Sequence, residues 1–220
     1  MNIASIRRKR LPRELRERLI VEEAVRFFSE VGFEGQTRTL AERLGVTQPL
    51  LYRYFTDKEA LIERVFEEVY LKGLNADWDK LLKDRNQPLF SRLSAFYRSY
   101  RRIMFEPQLV RLFMLAGLKG DRMSERYLAR LHLKLITPLC IEFRHEWGLP
   151  PVNQTPIDDR EIDIAWAIHG AIFQIAIRKW VCNQDLENDF DAIIDETLRA
   201  FLLGCRTTVS AIHAALPAPA

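Results

Sequence analysis

Apolar residues recur at intervals of three and four along almost the whole chain. No segment alternates β-branched and polar residues between hairpin dipeptides. The pattern predicts an all-α fold of about nine helices. The first is expected to begin near Pro12, a residue suited to a first helical turn, and to bury Leu15, Leu19, Ala24, Phe27, Phe28 and Val31, with Gly32 as its terminator. Two short helices follow, over 38–44 and 48–55, separated by Gly45. A fourth starts after Thr56, which forms a capping-box pattern with Glu59, and turns Leu61, Ile62, Val65, Phe66 and Val69 inward. Pro88, Pro107 and the stretch 148–158 (GLPPVNQTPID) punctuate longer helices over 89–105, 107–119, 122–147, 159–182 and 189–214. The tail 216–220 (LPAPA) should be frayed. No repeat with a period of 20 to 50 residues is present.

Composition fits a globular chain. Of 220 residues, 48% are hydrophobic and 29% charged, enough to bury a core. The longest apolar runs, 112–118 and 165–177, fall short of the ~20 residues of a membrane span. The basic N-terminus has no apolar run behind it, unlike a secretory signal. Cys140, Cys182 and Cys205 form no C-x-x-C pair, which argues against zinc-finger and thioredoxin-like chemistry and for a reducing, cytoplasmic setting. Net charge is only +3, but residues 1–18 hold seven basic and two acidic residues. One basic end suggests an anionic partner or a solvated leader.

The stretch 37–55, TRTLAERLGVTQPLLYRYF, changes that picture. Leu40, Ala41 and Leu44 face inward on one short helix, Gly45 permits the reversal, and Val46 plugs the corner. Leu51 and Phe55 anchor the next helix from below. This is a helix-turn-helix pattern. Its outward face holds Gln48, Pro49, Tyr52 and Arg53. These supply an amide for base edges, an apolar surface for a thymine methyl, and polar tips for phosphates. Thr47 is placed to cap the second helix and aim its first N–H groups at a phosphate.

The residues Ala24, Phe27–Phe28, Gly32–Phe33, Leu40–Ala41, Leu44 to Val46, Leu51 to Phe55 and Lys58 to Leu61 resemble the DNA-binding domain of the TetR family of bacterial transcription regulators. The founding member of that family also has Gln-Pro at the start of its recognition helix, where most members have a small or basic residue and Gly. The resemblance covers about 40 residues; the rest matches only in length and helix layout. It implies that residues 1–57 form a DNA-binding domain with a basic arm, and 58–220 a helical ligand-binding and dimerisation domain. It places Arg38 on a guanine, Gln48 on an adenine, Pro49 on a thymine methyl, and Tyr52, Tyr54 and Lys58 on phosphates. Arg7, Arg8, Lys9 and Arg10 would reach neighbouring phosphates or a minor groove.

The resemblance also implies a homodimer through the last two long helices, and a double-stranded, pseudo-palindromic operator. Small residues (Ala165, Ala167, Gly170, Ala171, Ala176) among Ile168, Ile172, Phe173 and Ile175 suggest burial on more than one face of the first of these helices. Phe96, Tyr97, Tyr100, Phe113, Met114, Phe143, Trp147, Trp166, His169 and Phe173 lie on helices that line the family's cavity. They would suit an apolar or aromatic effector, although aromatics at helical spacing are also what a core contains. Catalytic motifs are missing: His145–Glu146 is not followed by a second histidine at 149, and there is no G-x-S-x-G, P-loop or G-x-G-x-x-G. Asp158, Asp159, Glu161 and Asp163 cluster at a helix start, where acids complement the dipole. No enzyme, metal or cofactor is expected. The expectation is a transcriptional repressor released by a small molecule. The alternative is a helical, non-enzymatic adaptor whose helix-turn-helix element binds protein.

Overall fold

The computed structural model describes residues 12–71, 77–119, 122–186 and 189–215. Every regular element among them is helical: α1 Arg13–Val31, α2 Thr37–Arg43, α3 Gln48–Tyr52, α4 Lys58–Phe66, α5 Asp77–Lys83, α6 Leu89–Met104, α7 Pro107–Leu118, α8 Arg122–Leu131, α9 Thr137–Trp147, α10 Asp159–Trp180 and α11 Phe190–Ala214. A π turn, Glu67–Leu71, extends α4, and another, His132–Ile136, joins α8 to α9. Counting each π turn with the helices it continues gives ten helices among the described residues, one more than expected. The basic cluster at residues 7–10 and the tail at 216–220 lie outside the described residues.

The extra helix is α5. Its apolar signal is three residues, Trp78, Leu81 and Leu82, set among charges, and seven residues are too few to show a period. The helix expected over 122–147 is interrupted by the π turn because Pro138 has no N–H to donate and its ring crowds the carbonyl four residues back. The widened turn lets the Thr137 N–H reach the His132 carbonyl, five residues back. Three local expectations are corrected. The N-cap of α4 is Asp57, whose carboxylate accepts from the Ala60 N–H at 2.7 Å, while Thr56 donates to Asp57 instead. Thr47 precedes α3 without a side-chain capping bond. Val31 is exposed, and Ile20 and Val21 join the buried stripe of α1.

The chain divides into two compact units. The first comprises residues 1–74 and 106–125; in it α1 packs against α2, α4 and α7. The second comprises residues 75–105 and 126–220, with α6 packed on α5, α9 and α11, and α10 on α9 and α11.

Two buried ion-pair networks fix the second unit. Arg92 on α6 donates to Glu142 on α9 at 2.5 Å, and Arg85 donates to the same carboxylate at 2.9 and 3.1 Å. Arg144 on α9 grips both oxygens of Glu161 at 2.6 and 2.8 Å and donates to the carbonyls of Pro150, Thr155 and Pro156. The acidic start of α10 therefore does more than complement a dipole. Asp158 and Glu161 form a capping box, and Glu161 is also the buried partner of Arg144. The Arg160 guanidinium holds the Asp158 carboxyl down at about 2.

Candidate nucleic-acid interface

The helix-turn-helix follows from a few buried apolar positions. Leu40, Ala41 and Leu44 on the inner side of α2 and Leu51 and Phe55 at α3 are all buried in the first unit. Gly45 takes φ +65°, a left-handed conformation costly for residues with a Cβ. The reversal is closed by Gly45 N–H to Glu42 O and Val46 N–H to Ala41 O, each 3.0 Å. Gly35 has a different role: a Cβ there would lie 2.6 Å from the Phe27 ring and from Val31, so only glycine lets the chain pass α1 before α2 starts.

Burial of one side leaves the other side outward. Arg38, Thr47, Pro49, Tyr52 and Arg53 are exposed, and Gln48, Tyr54 and Lys58 are half-buried. Arg38 pairs with Glu42 at 3.3 Å, both largely in solvent. Such a pair is worth at most about 1 kcal/mol and gives way readily to a stronger acceptor. The Arg13 guanidinium sits 5.9 Å from the centre of the Tyr54 ring. At the junction of α2 and α3, Gln48 Nε2 donates to Thr37 Oγ1 at 2.9 Å, and Thr37 Oγ1 and Tyr52 Oη share a bond of 2.9 Å. Thr37 was not singled out by sequence; its place at the first position of α2, facing α3, is the signal that marks it.

Phe96, Tyr100, Trp166, His169 and Phe173 belong to a continuous cluster in the second unit. His169 lies 5.2 Å from Tyr100, 5.9 Å from Trp166 and 6.5 Å from Phe173, ring centre to ring centre. Trp78 of α5 joins this cluster, 5.4 Å from Phe96 and 5.6 Å from Tyr100. Phe143 and Trp147 stack on one another at 5.0 Å as a separate pair. Phe113 lies in the first unit, on the helix that packs against α1. Within the cluster, His169 Nε2 is 3.4 Å from Tyr100 Oη, which is 3.4 Å from Tyr127 Oη. His169 Nδ1 and Tyr97 Oη are buried without a hydrogen-bond partner. Burial pushes the His169 pKa down to about 4 and raises those of Tyr97 and Tyr100, so all three are neutral at physiological pH. Among the described residues no helix is long and apolar enough to cross a membrane.

Residues 20–65 match the family described as bacterial regulatory proteins, tetR family. The class C tetracycline repressor protein of Escherichia coli is 36% identical over 98 residues, covering 41% of this chain and 44% of that protein. The class A repressor from transposon 1721, also of Escherichia coli, is 44% identical over 55 residues, 24% of this chain and 26% of that one. The chain thus matches less than half the length of these curated relatives. A TetR-family transcriptional regulator from Thermus thermophilus, PfmR, shares the fold with a TM-score of 0.58 at 22% identity, over 84% of this chain and 97% of that one. Residues 20–65 thus match the tetR family of bacterial regulatory proteins, within a chain whose all-helical fold is similar to that of a solved TetR-family regulator.

Proposed function

We propose that this protein is a sequence-specific DNA-binding transcriptional regulator, a cytoplasmic repressor whose operator affinity falls when an uncharged aromatic small molecule binds. The observation that carries the reading is the outward face of α3. A buried apolar frame leaves Gln48, Pro49, Tyr52 and Arg53 together on the solvent side, within the segment that matches the family. Gln48 reads an adenine and Arg38 a guanine, each through a two-point contact worth about 1–3 kcal/mol of discrimination. Pro49 meets a thymine methyl. Tyr52, Tyr54 and Lys58 hold phosphates, Arg53 and the Thr47 hydroxyl add to the backbone contacts, and the basic cluster at 7–10 extends them.

Two symmetric copies give a pseudo-palindromic operator its second half-site. The proposed interface uses α10 and α11, supported by small or apolar residues left exposed on both: Ala167 and Gly170 on α10, and Ala200, Leu203, Gly204 and Ala211 on α11. The effector site is proposed at the aromatic cluster around His169. Its support is the two buried polar atoms, His169 Nδ1 and Tyr97 Oη, that lack partners. An aromatic ligand with one hydrogen-bonding group would satisfy them, and the neutral surroundings disfavour a charged one. Effector binding acts by differential affinity for DNA-competent and DNA-incompetent states. The test is a salt-dependent mobility shift on the DNA flanking the coding sequence, with competitor DNA. A shift resisting random competitor supports the reading, and binding that random DNA abolishes refutes it.

A further inference from the structure

We propose that Thr37 is a positioning residue: its hydroxyl ties the side chain that reads a base, Gln48, to the one that holds a phosphate, Tyr52, and so fixes which way the Gln48 amide faces. The inference rests on the DNA-binding reading above.

Thr37 opens α2 and is 5% exposed; Gln48 opens α3, and Tyr52 closes it. Both partners lie 2.9 Å from Thr37 Oγ1. A threonine hydroxyl has one proton to give and two lone pairs to fill. An amide nitrogen only donates, so with Gln48 Nε2 at this distance Thr37 accepts there, and either its proton or its second lone pair meets Tyr52 Oη. In the first order Thr37 gives its proton to Tyr52, and the phenol proton of Tyr52 is free for an acceptor outside; if Tyr52 donates to Thr37 instead, it has none left to give. The reverse order also closes a chain: Tyr52 donates to Thr37, and Thr37 donates to Gln48 Oε1. In that order Tyr52 has no proton left, and a phosphate oxygen, which only accepts, gains nothing from it.

A phosphate at Tyr52 therefore selects the first order. In it Gln48 presents Oε1 and one N–H, the acceptor and donor that match adenine N6–H and N7. Guanine offers two acceptors at the same edge and opposes Oε1. Backbone contact and base reading are thus one hydrogen-bonded chain, in which each bond polarises the next. Without the Thr37 hydroxyl the Gln48 amide turns freely, and its preference for adenine falls.

The experiment uses the full chain, a duplex selected by the wild type from a randomised library, and that duplex with each base pair changed in turn. Affinities are read by fluorescence anisotropy. Gln48→Ala identifies the position that Gln48 reads, as the one whose discrimination flattens. There the wild type is expected to discriminate roughly 5- to 150-fold. Thr37→Val should bring that ratio toward one and leave ratios elsewhere unchanged, and Thr37→Ser should restore it. Tyr52→Phe should lower the same ratio, and the double variant should lower it no further than either alone. A purely structural threonine would instead move every position together with the melting temperature. An unchanged ratio in Thr37→Val, equal losses at all positions, or no rescue by serine overturns the proposal. If Thr37→Val folds poorly, Tyr52→Phe decides, and a full ratio in it is contrary. A wild type with no sequence preference removes the DNA reading itself, and this inference with it.

Discussion

The clearest energetic consequence of the aromatic cluster is a pH dependence set by one histidine. His169 is 5% exposed, and burial lowers its pKa from 6.5 to about 4. The rings around it, Tyr97, Tyr100, Trp166 and Phe173, carry no charge that would stabilise an imidazolium. The unfolded chain takes up its proton near pH 6.5; the folded chain does so only near 4. The unfolded state therefore binds more protons between those values, and stability falls as pH drops through that window. The loss is about 1.2 kcal/mol by pH 5.5 and about 3 kcal/mol by pH 4, relative to neutral pH. His169→Phe keeps a ring of similar size and removes the titration. Urea unfolding of both proteins from pH 7.5 to pH 4 separates this group from the carboxylates, because those titrate alike in both. The stability difference should shift by about 3 kcal/mol in favour of the variant as pH falls, with most of the change between 6.5 and 4. A difference that stays constant over this range would refute the reasoning.

Gln48→Ala should weaken operator binding by about 1–3 kcal/mol at one base pair and hardly affect random DNA, as single-base duplex titrations would show. Lys58→Ala should weaken all duplexes alike and reduce the slope of log affinity against log salt by about 1. Arg144→Met strands the Glu161 carboxylate and three carbonyls in the interior, and should cost about 3–5 kcal/mol in chemical denaturation; adding Glu161→Leu should recover most of that loss. Phe173→Ala should blunt the effector response in a mobility shift. Because Phe173 is half-buried, its stability cost should fall below the about 3–5 kcal/mol of a fully buried phenylalanine.

Helices with a long apolar stripe and a clear stop were legible in the sequence. The ends of α1, α6, α7 and α11 fall within a residue or two of the expected ones. What escaped is where local rules compete. Thr56 and Asp57 are both good caps one residue apart, and the aspartate takes the Ala60 N–H. Pro138 sits inside an apolar pattern that reads as one helix, and the backbone answers with a π turn that periodicity does not encode. α5 carries too few turns to show a period, yet it brings Trp78 into the aromatic cluster. The solvent-facing side of α3 was readable because it is the complement of Leu51 and Phe55. The bridge from Thr37 was not, because it depends on how two helices meet across Gly45. Helical spacing says which side chains share a face, but not which helices stand together, so neither the rings gathered around His169 nor the Phe143–Trp147 stack was legible as such. Likewise the pairing of Arg144 with Glu161, 17 residues apart in the chain, is set by the α9–α10 loop folding back on itself.

The central claim is that two copies of α3 read DNA in register. The most direct measurement is to sequence the duplexes that the full chain retains from a randomised library at physiological salt. The account predicts an inverted repeat whose half-sites lie about one helical turn apart, some 34–36 Å between recognition helices, with an adenine position in each half that loses its enrichment in Gln48→Ala. Retained duplexes with no enriched sequence, or with a single unrepeated motif indifferent to Gln48, would contradict it.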